Sequence, residues 1–120
     1  MSTPVLSPSP DLLVACLCAQ WCGTCRDYRP LFDQLQTEFA RARFVWIDIE
    51  DEADLVDPVE VDNFPTLLVV AHGQARFFGT LTPHIDTLRR ILQTQLAADG
   101  APLAEDQVQA LAQRVLLHLA

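Results

Sequence analysis

Trp21-Cys22-Gly23-Thr24-Cys25 is the stretch from which the rest of the chain can be understood. It follows a strongly apolar run, Leu12-Leu13-Val14-Ala15-Cys16-Leu17-Cys18, and precedes an amphipathic run with Tyr28, Leu31, Phe32, Leu35 and Phe39 on one side. The first run reads as a strand buried on both faces, the second as one face of a helix. The Cys-x-x-Cys therefore sits where a strand hands over to a helix, with Cys22 at or near the helix N-terminus. Unpaired backbone N–H groups and the positive end of the helix dipole collect there. That setting favours thiolate over thiol, and the thiolate is the reactive species. Cys25, one turn on, is placed to close a disulfide onto Cys22, so the pair can pass between dithiol and disulfide.

The elements around this junction follow from periodicity and turn chemistry. Residues 1–10, with their prolines and serines, read as an arm. The first strand is expected over about Leu12 to Cys18 and the helix over about Cys22 to Arg41, kinked at Pro30, which lacks a backbone donor. Phe44-Val45-Trp46-Ile47-Asp48-Ile49 reads as a second strand, parallel to the first because a helix joins them. Glu50 to Asp57 reads as an acidic loop with one short helix around Ala53 to Val56. Pro65 opens a third strand, Thr66 to Val70; Ala71-His72-Gly73-Gln74 reads as a hairpin turn; and Ala75 to Phe78 forms a fourth strand that Gly79 ends.

Thr82 and Pro83 read as the N-cap and first residue of a further helix. Its buried face is Ile85, Leu88, Ile91, Leu92 and Leu96. Asp99-Gly100-Ala101-Pro102 breaks it. A last helix, about Ala104 to His118, carries Val108, Leu111, Ala112, Val115 and Leu119 on one side. The expected class is α/β, with a mixed central sheet of about four strands and helices on both faces. Residues 11–98 form the domain, with 1–10 an arm and 99–120 an additional helix packed on it.

Composition bounds the function. With 120 residues, half of them apolar and a fifth charged, the chain is large enough for a single well-formed core and is not disordered. No apolar stretch is long enough to span a bilayer. Met1 to Pro10 has neither a basic residue nor an apolar core, so it does not read as a secretory signal, and the cytoplasm is the expected compartment. A net charge of −8 argues against nucleic acid and anionic membranes as partners. Four clustered cysteines suit redox or metal chemistry better than a disulfide scaffold.

In this order of elements the chain resembles the thioredoxin family over roughly residues 11–98. Trp21-Cys22-Gly23-Thr24-Cys25 matches the family's Trp-Cys-Gly-Pro-Cys signature except at Thr24. Pro30 falls at the kink of the family's active-site helix. Asn63-Phe64-Pro65-Thr66-Leu67 matches the segment that carries its cis-proline, and Gly79 the glycine that faces the active site. The resemblance implies a three-layer sandwich and a thiol–disulfide oxidoreductase that reduces protein disulfides and contributes to cell redox homeostasis. Cys22 would attack and Cys25 resolve. Trp21, Gly23, Thr24, Phe64, Pro65 and Gly79 would line the substrate groove, with Pro65 cis and the backbone of Phe64 holding an extended peptide. No cofactor is implied. The implied partners are a disulfide-containing protein substrate and a reductase that regenerates the dithiol, and the chain is expected to be a monomer.

Three departures carry consequences. The family usually has a buried acid six residues before the first cysteine, where this chain has Cys16, and many members place a lysine where Trp46 stands. Cys18 takes a position often held by an aromatic residue. Without the acid, the proton of Cys25 must leave by water or substrate. The N-terminal segment before the buried strand is also short, and the last helix is expected to cover the face so exposed.

Each feature also has a blander reading. Cys16 and Cys18 alternate on a strand and read as buried structural cysteines, with a secondary redox role for one of them as the alternative. The four cysteines could by spacing hold zinc or an iron–sulfur cluster, but the Trp-Cys-Gly context and the proline segment argue against a metal. His72, His84 and His118 read as solvated, as does the acidic run from Asp48 to Asp54. The same fold could serve instead as a non-catalytic binding or chaperone-like module.

Overall fold

The computed structural model describes residues 12–19, 23–39, 42–57, 59, 61, 65–71, 73–80, 85–97 and 103–119. The elements run β1 (Leu12–Cys18), α1 (Gly23–Glu38), β2 (Ala42–Asp48), α2 (Ala53–Val56), β3 (Thr66–Ala71), β4 (Gln74–Thr80), α3 (Ile85–Ala97) and α4 (Asp106–Leu119). The strands form one sheet in the order β2-β1-β3-β4. β1 and β2 are parallel, and β1–β3 and β3–β4 are antiparallel. This is the mixed four-stranded sheet expected from the order of elements.

The two central strands explain why their sequences do not alternate. Every residue of β1 and β3 is buried. Leu12, Val14, Cys16 and Cys18 face one layer with Leu67, Val69 and Ala71, against Tyr28, Phe32 and Leu35 of α1 and Leu88 and Leu92 of α3. Leu13, Ala15 and Leu17 face the other with Leu68 and Val70, against Val108, Leu111, Ala112 and Val115 of α4. Each fully buried large apolar side chain contributes about 1.5–3 kcal/mol. The sheet is thus sandwiched between α1 with α3 and α2 with α4.

Some boundaries differ from expectation. α1 ends at Glu38, short of Arg41, because the carbonyl of Phe39 accepts the Ala42 N–H at 2.9 Å and turns the chain back toward the sheet. The helix is continuous across Pro30. β2 starts earlier than expected, because the parallel register already pairs Ala42 with Leu12. β4 does not stop at Gly79: Gly79 pairs with Leu67 and Thr80 with Thr66, so the glycine lies within the ladder. In the β3–β4 turn Gly73 has φ +80°, a left-handed conformation that a side chain would strain. The Thr82-Pro83 cap, the Asp99–Pro102 break, His72 and His84 lie outside the described residues, as do the side chains of Leu96 and Leu119.

α4 is held by polar groups as well as by its apolar stripe. Gln109 accepts the Ala75 N–H at 2.8 Å and donates to the carbonyls of Ala75 and Leu103 at 3.0 and 2.8 Å. Arg114 Nε donates to the Leu55 carbonyl at 2.8 Å. These bonds fasten the last helix to the β3–β4 hairpin and to α2.

Candidate active site

The site lies where β1 ends and α1 begins. Alternation on β1 points Val14, Cys16 and Cys18 toward α1, and the inner stripe of α1 is Cys25, Tyr28, Phe32 and Leu35. The end of the strand face and the start of the helix face therefore meet, and both end in sulfur. Cys18 and Cys25 are joined by a disulfide with Cα atoms 6.0 Å apart, and both are about 1% exposed. Cys18 is buried, as expected, and its partner here is Cys25. Trp21 and Cys22, and with them the expected Cys22–Cys25 pairing, lie outside the described residues. The missed pairing had a signal: Cys18 is the last inward residue of β1 and Cys25 the first inward residue of α1.

Cys16 carries a free thiol whose Sγ is 3.5 Å from Cys18 Sγ. A disulfide sulfur has no proton, so Cys16 is the donor in this contact. Burial raises the Cys16 thiol far above its ordinary range, only partly offset by the Arg29 charge. The Tyr28 hydroxyl is raised as well, by burial and then by Cys16. Its oxygen is buried without a hydrogen-bond partner. Both groups are neutral across the physiological range.

The register sets Cys16 opposite Trp46 on β2. The two residues read as replacing a buried acid and its lysine are thus neighbours, and the space between β1, β2 and α1 is apolar. Phe32 meets Trp46 edge-on with centroids 5.6 Å apart, and the Arg29 guanidinium lies 4.8 Å from the Trp46 ring centre. Such a cation–π contact at an exposed site contributes about 0.5–1 kcal/mol.

Above this layer a cavity of about 590 Å³ opens beside Cys25. Arg26, Arg29 and Trp46 line one part of it, and Asp48, Asp51 and Glu52 another. Asp48 shapes the acidic turn by accepting the N–H groups of Glu50 and Asp51 at 2.8 and 3.2 Å. This gives the side of α1 that bears Cys25 a polar exit, which the interior lacks.

The other expected site residues distribute as follows. Gly23 and Thr24 are exposed in the first turn of α1. Pro65 is buried just before β3. It directly precedes Thr66, which the β1–β3 register pairs with Leu17. Gly79 is half-buried next to Leu67; a Cβ there would only touch the Phe77 ring, at 3.5 Å. Phe64, and with it the peptide bond before Pro65, lies outside the described residues. Among the described residues no three His, Cys, Asp or Glu side chains come together to hold a metal ion, and no helix is long and apolar enough to cross a membrane. His118 is exposed.

The family model described as Thioredoxin matches residues 2–93. The chain is 30% identical over 66 residues to thioredoxin H-type from Fagopyrum esculentum, covering 55% of this chain and 57% of that protein. It is 32% identical over 68 residues to thioredoxin from Oryctolagus cuniculus, covering 57% and 65%. The matched stretch thus spans between about half and two thirds of these relatives' length. Among solved structures, Fasciola hepatica thioredoxin superposes with a TM-score of 0.66 over 72% of this chain and 83% of that one, at 23% identity, which is a likeness of fold.

Proposed function

Because the chain belongs to the thioredoxin family, we propose that it is a thiol–disulfide oxidoreductase that reduces protein disulfides, with Cys22 attacking and Cys25 resolving. The observation that carries this reading is the sulfur of Cys25. It sits in the first turn of α1, is nearly inaccessible, and is engaged in a disulfide. A buried cysteine in the first turn of a helix, with its sulfur within bonding reach of another, suits a resolving role.

The Cys22 thiolate, favoured by the helix dipole, attacks one sulfur of the substrate disulfide and expels the other as a thiolate. Cys25 then attacks Cys22 Sγ, the mixed disulfide breaks, and the second substrate sulfur leaves. The product is an intramolecular disulfide and a reduced substrate. A reductase supplies two electrons to restore the dithiol. With Cys16 and Trp46 in place of a charged pair, no buried carboxylate among the described residues takes the Cys25 proton. The cavity beside Cys25 supports water as the acceptor, with Asp48, Asp51 and Glu52 along its wall.

Trp21, Gly23, Thr24, Phe64, Pro65 and Gly79 make up the groove for the extended substrate segment. Residues 11–98 act as the working domain and 99–120 as a helix that completes its second face. A reducing cytoplasm suits the dithiol form, and the protein works as a monomer.

Insulin reduction by dithiothreitol tests the reading, comparing wild type with Cys22→Ser. The variant is expected to fall to the rate of dithiothreitol alone. Equal rates for the two proteins would overturn the reading and favour a non-catalytic binding module on the same fold.

A further inference from the structure

Three sulfurs lie in contact at the head of α1, and the first-turn cysteine is bonded inward to the strand. We propose that the oxidised site has two interchangeable pairings about Cys25, with Cys22 as outer partner and Cys18 as inner partner. The oxidised chain can then hold its disulfide in the core while Cys22 stands as a free thiol. The inference rests on the reading of Cys22 as the attacking cysteine.

The exchange is an isomerisation and needs no outside oxidant. Cys18, as thiolate, attacks Cys25 Sγ of the Cys22–Cys25 disulfide. The Cys18–Cys25 bond forms, the Cys22–Cys25 bond breaks, and the electron pair leaves on Cys22. The proton lost by Cys18 is balanced by the one Cys22 can take up. The number of disulfides is unchanged.

Geometry and electrostatics both favour the inner form. Cys18 and Cys25 are held by opposite walls of one apolar layer at a Cα separation that suits a disulfide. A buried disulfide has no charge to desolvate, whereas a buried Cys18 thiolate would. The exchange moves the free sulfur onto Cys22, which in the sequence immediately precedes Gly23, the first residue of α1, and a helix N-terminus stabilises a thiolate. Cys16 acts as a positioning residue: its S–H, 3.5 Å from Cys18 Sγ, is placed to donate to that sulfur when it carries charge. The consequence is a change of behaviour with oxidation. While Cys25 is tied to Cys18, a mixed disulfide formed at Cys22 has no resolving cysteine, so the oxidised chain acts as a monothiol that retains its partner.

Disulfide mapping tests this. The full chain is oxidised with diamide, quenched in acid, alkylated with N-ethylmaleimide in denaturant and cut with chymotrypsin. Cleavage after Leu17, Trp21 and Tyr28 separates Cys18 from the fragment that holds Cys22 and Cys25. The inner pairing joins the fragments 18–21 and 22–28 and leaves the alkyl group on Cys22; the outer pairing is a loop within 22–28. Wild type is expected to show the joined fragments, Cys22→Ser to show them as the main product, and Cys18→Ala to show only the loop. Only the loop in wild type, together with no disulfide in oxidised Cys22→Ser, would overturn the inference. Insulin reduction is read separately. Joined fragments in a chain without Cys22-dependent reduction would keep the inner pairing and reject the oxidoreductase reading.

Discussion

The two faces of β1 are made of adjacent residues yet have opposite chemistry. Toward α1 the strand presents Val14, Cys16 and Cys18; toward α4 it presents Leu13, Ala15 and Leu17. Both sides are equally buried. On the α1 side the polar groups are left reactive or unsatisfied: a free thiol, a disulfide shared with a helix N-terminus, and a tyrosine oxygen without a partner. On the α4 side Gln109 meets the N–H and carbonyl of Ala75 and the carbonyl of Leu103 with its whole amide, while Arg114 Nη2 is buried without a partner. Burial alone therefore does not say what a face is for. What distinguishes the faces among the described residues is sulfur: the α1 side alone brings cysteines together, whereas each side leaves a buried polar atom unpartnered, Tyr28 Oη on one and Arg114 Nη2 on the other.

The comparison breaks most readily at Cys25. Cys25→Ser removes the sulfur common to both pairings, so insulin reduction should fall on the order of a hundredfold or more while the far-ultraviolet circular dichroism stays native. A variant with near wild-type activity would remove the chemical role of the α1 face.

On the opposite face, Leu111→Ala should lower the unfolding free energy by about 2–5 kcal/mol in urea, since Leu111 is fully buried among α4 and the sheet. Activity per folded molecule should not change. A drop in activity at unchanged stability would show that the two faces are not separable.

Gln109→Ala sharpens the same point for polar atoms. It strips the Ala75 N–H of its partner in a part-buried setting, and should cost about 1–3 kcal/mol, again read by urea unfolding. No change would mean that Gln109 adds nothing to the hold of α4 on the sheet.

The smallest effect belongs to the pair that ties α1 to α3. Arg89 donates to both carboxylate oxygens of Glu38, at 2.8 and 2.7 Å, and also contacts Asp86. The hydrogen bonds from Arg89 hold the Glu38 carboxyl below its usual range. A carboxylate with a depressed folded-state pKa stabilises above its unfolded pKa, and that contribution is lost as pH falls through the folded value. Arg89→Ala should therefore be slightly less stable than wild type at neutral pH, with the gap in urea midpoint closing in acid. A gap that widens in acid would contradict the pairing.

Much of this was legible in the sequence because it rests on local rules. β1, the short helix at Ala53 to Val56 and the inner stripe of α4 follow from apolar patterning, and the hairpin from Gly73. The apolar replacement of a buried charge pair was legible too, since parallel strands made Cys16 and Trp46 neighbours. Gly79 misled because a glycine ends a strand only when no partner continues the ladder, and here Leu67 does. Cys18–Cys25 was hidden for a different reason: the strand end and helix start come together in space, and spacing along the chain points to the nearer cysteine instead. Gln109 reads as an exposed helical residue until the hairpin is laid beside it.

The central claim is that Cys25 is the hub of one reversible thiol–disulfide couple at the head of α1. Redox titration in dithiothreitol buffers tests it most directly, with free thiols counted by maleimide gel shift. Wild type should lose two of its four thiols in a single transition, and Cys25→Ser should keep all three of its own at every potential. A Cys25→Ser chain that still loses two thiols in the same range would contradict the account.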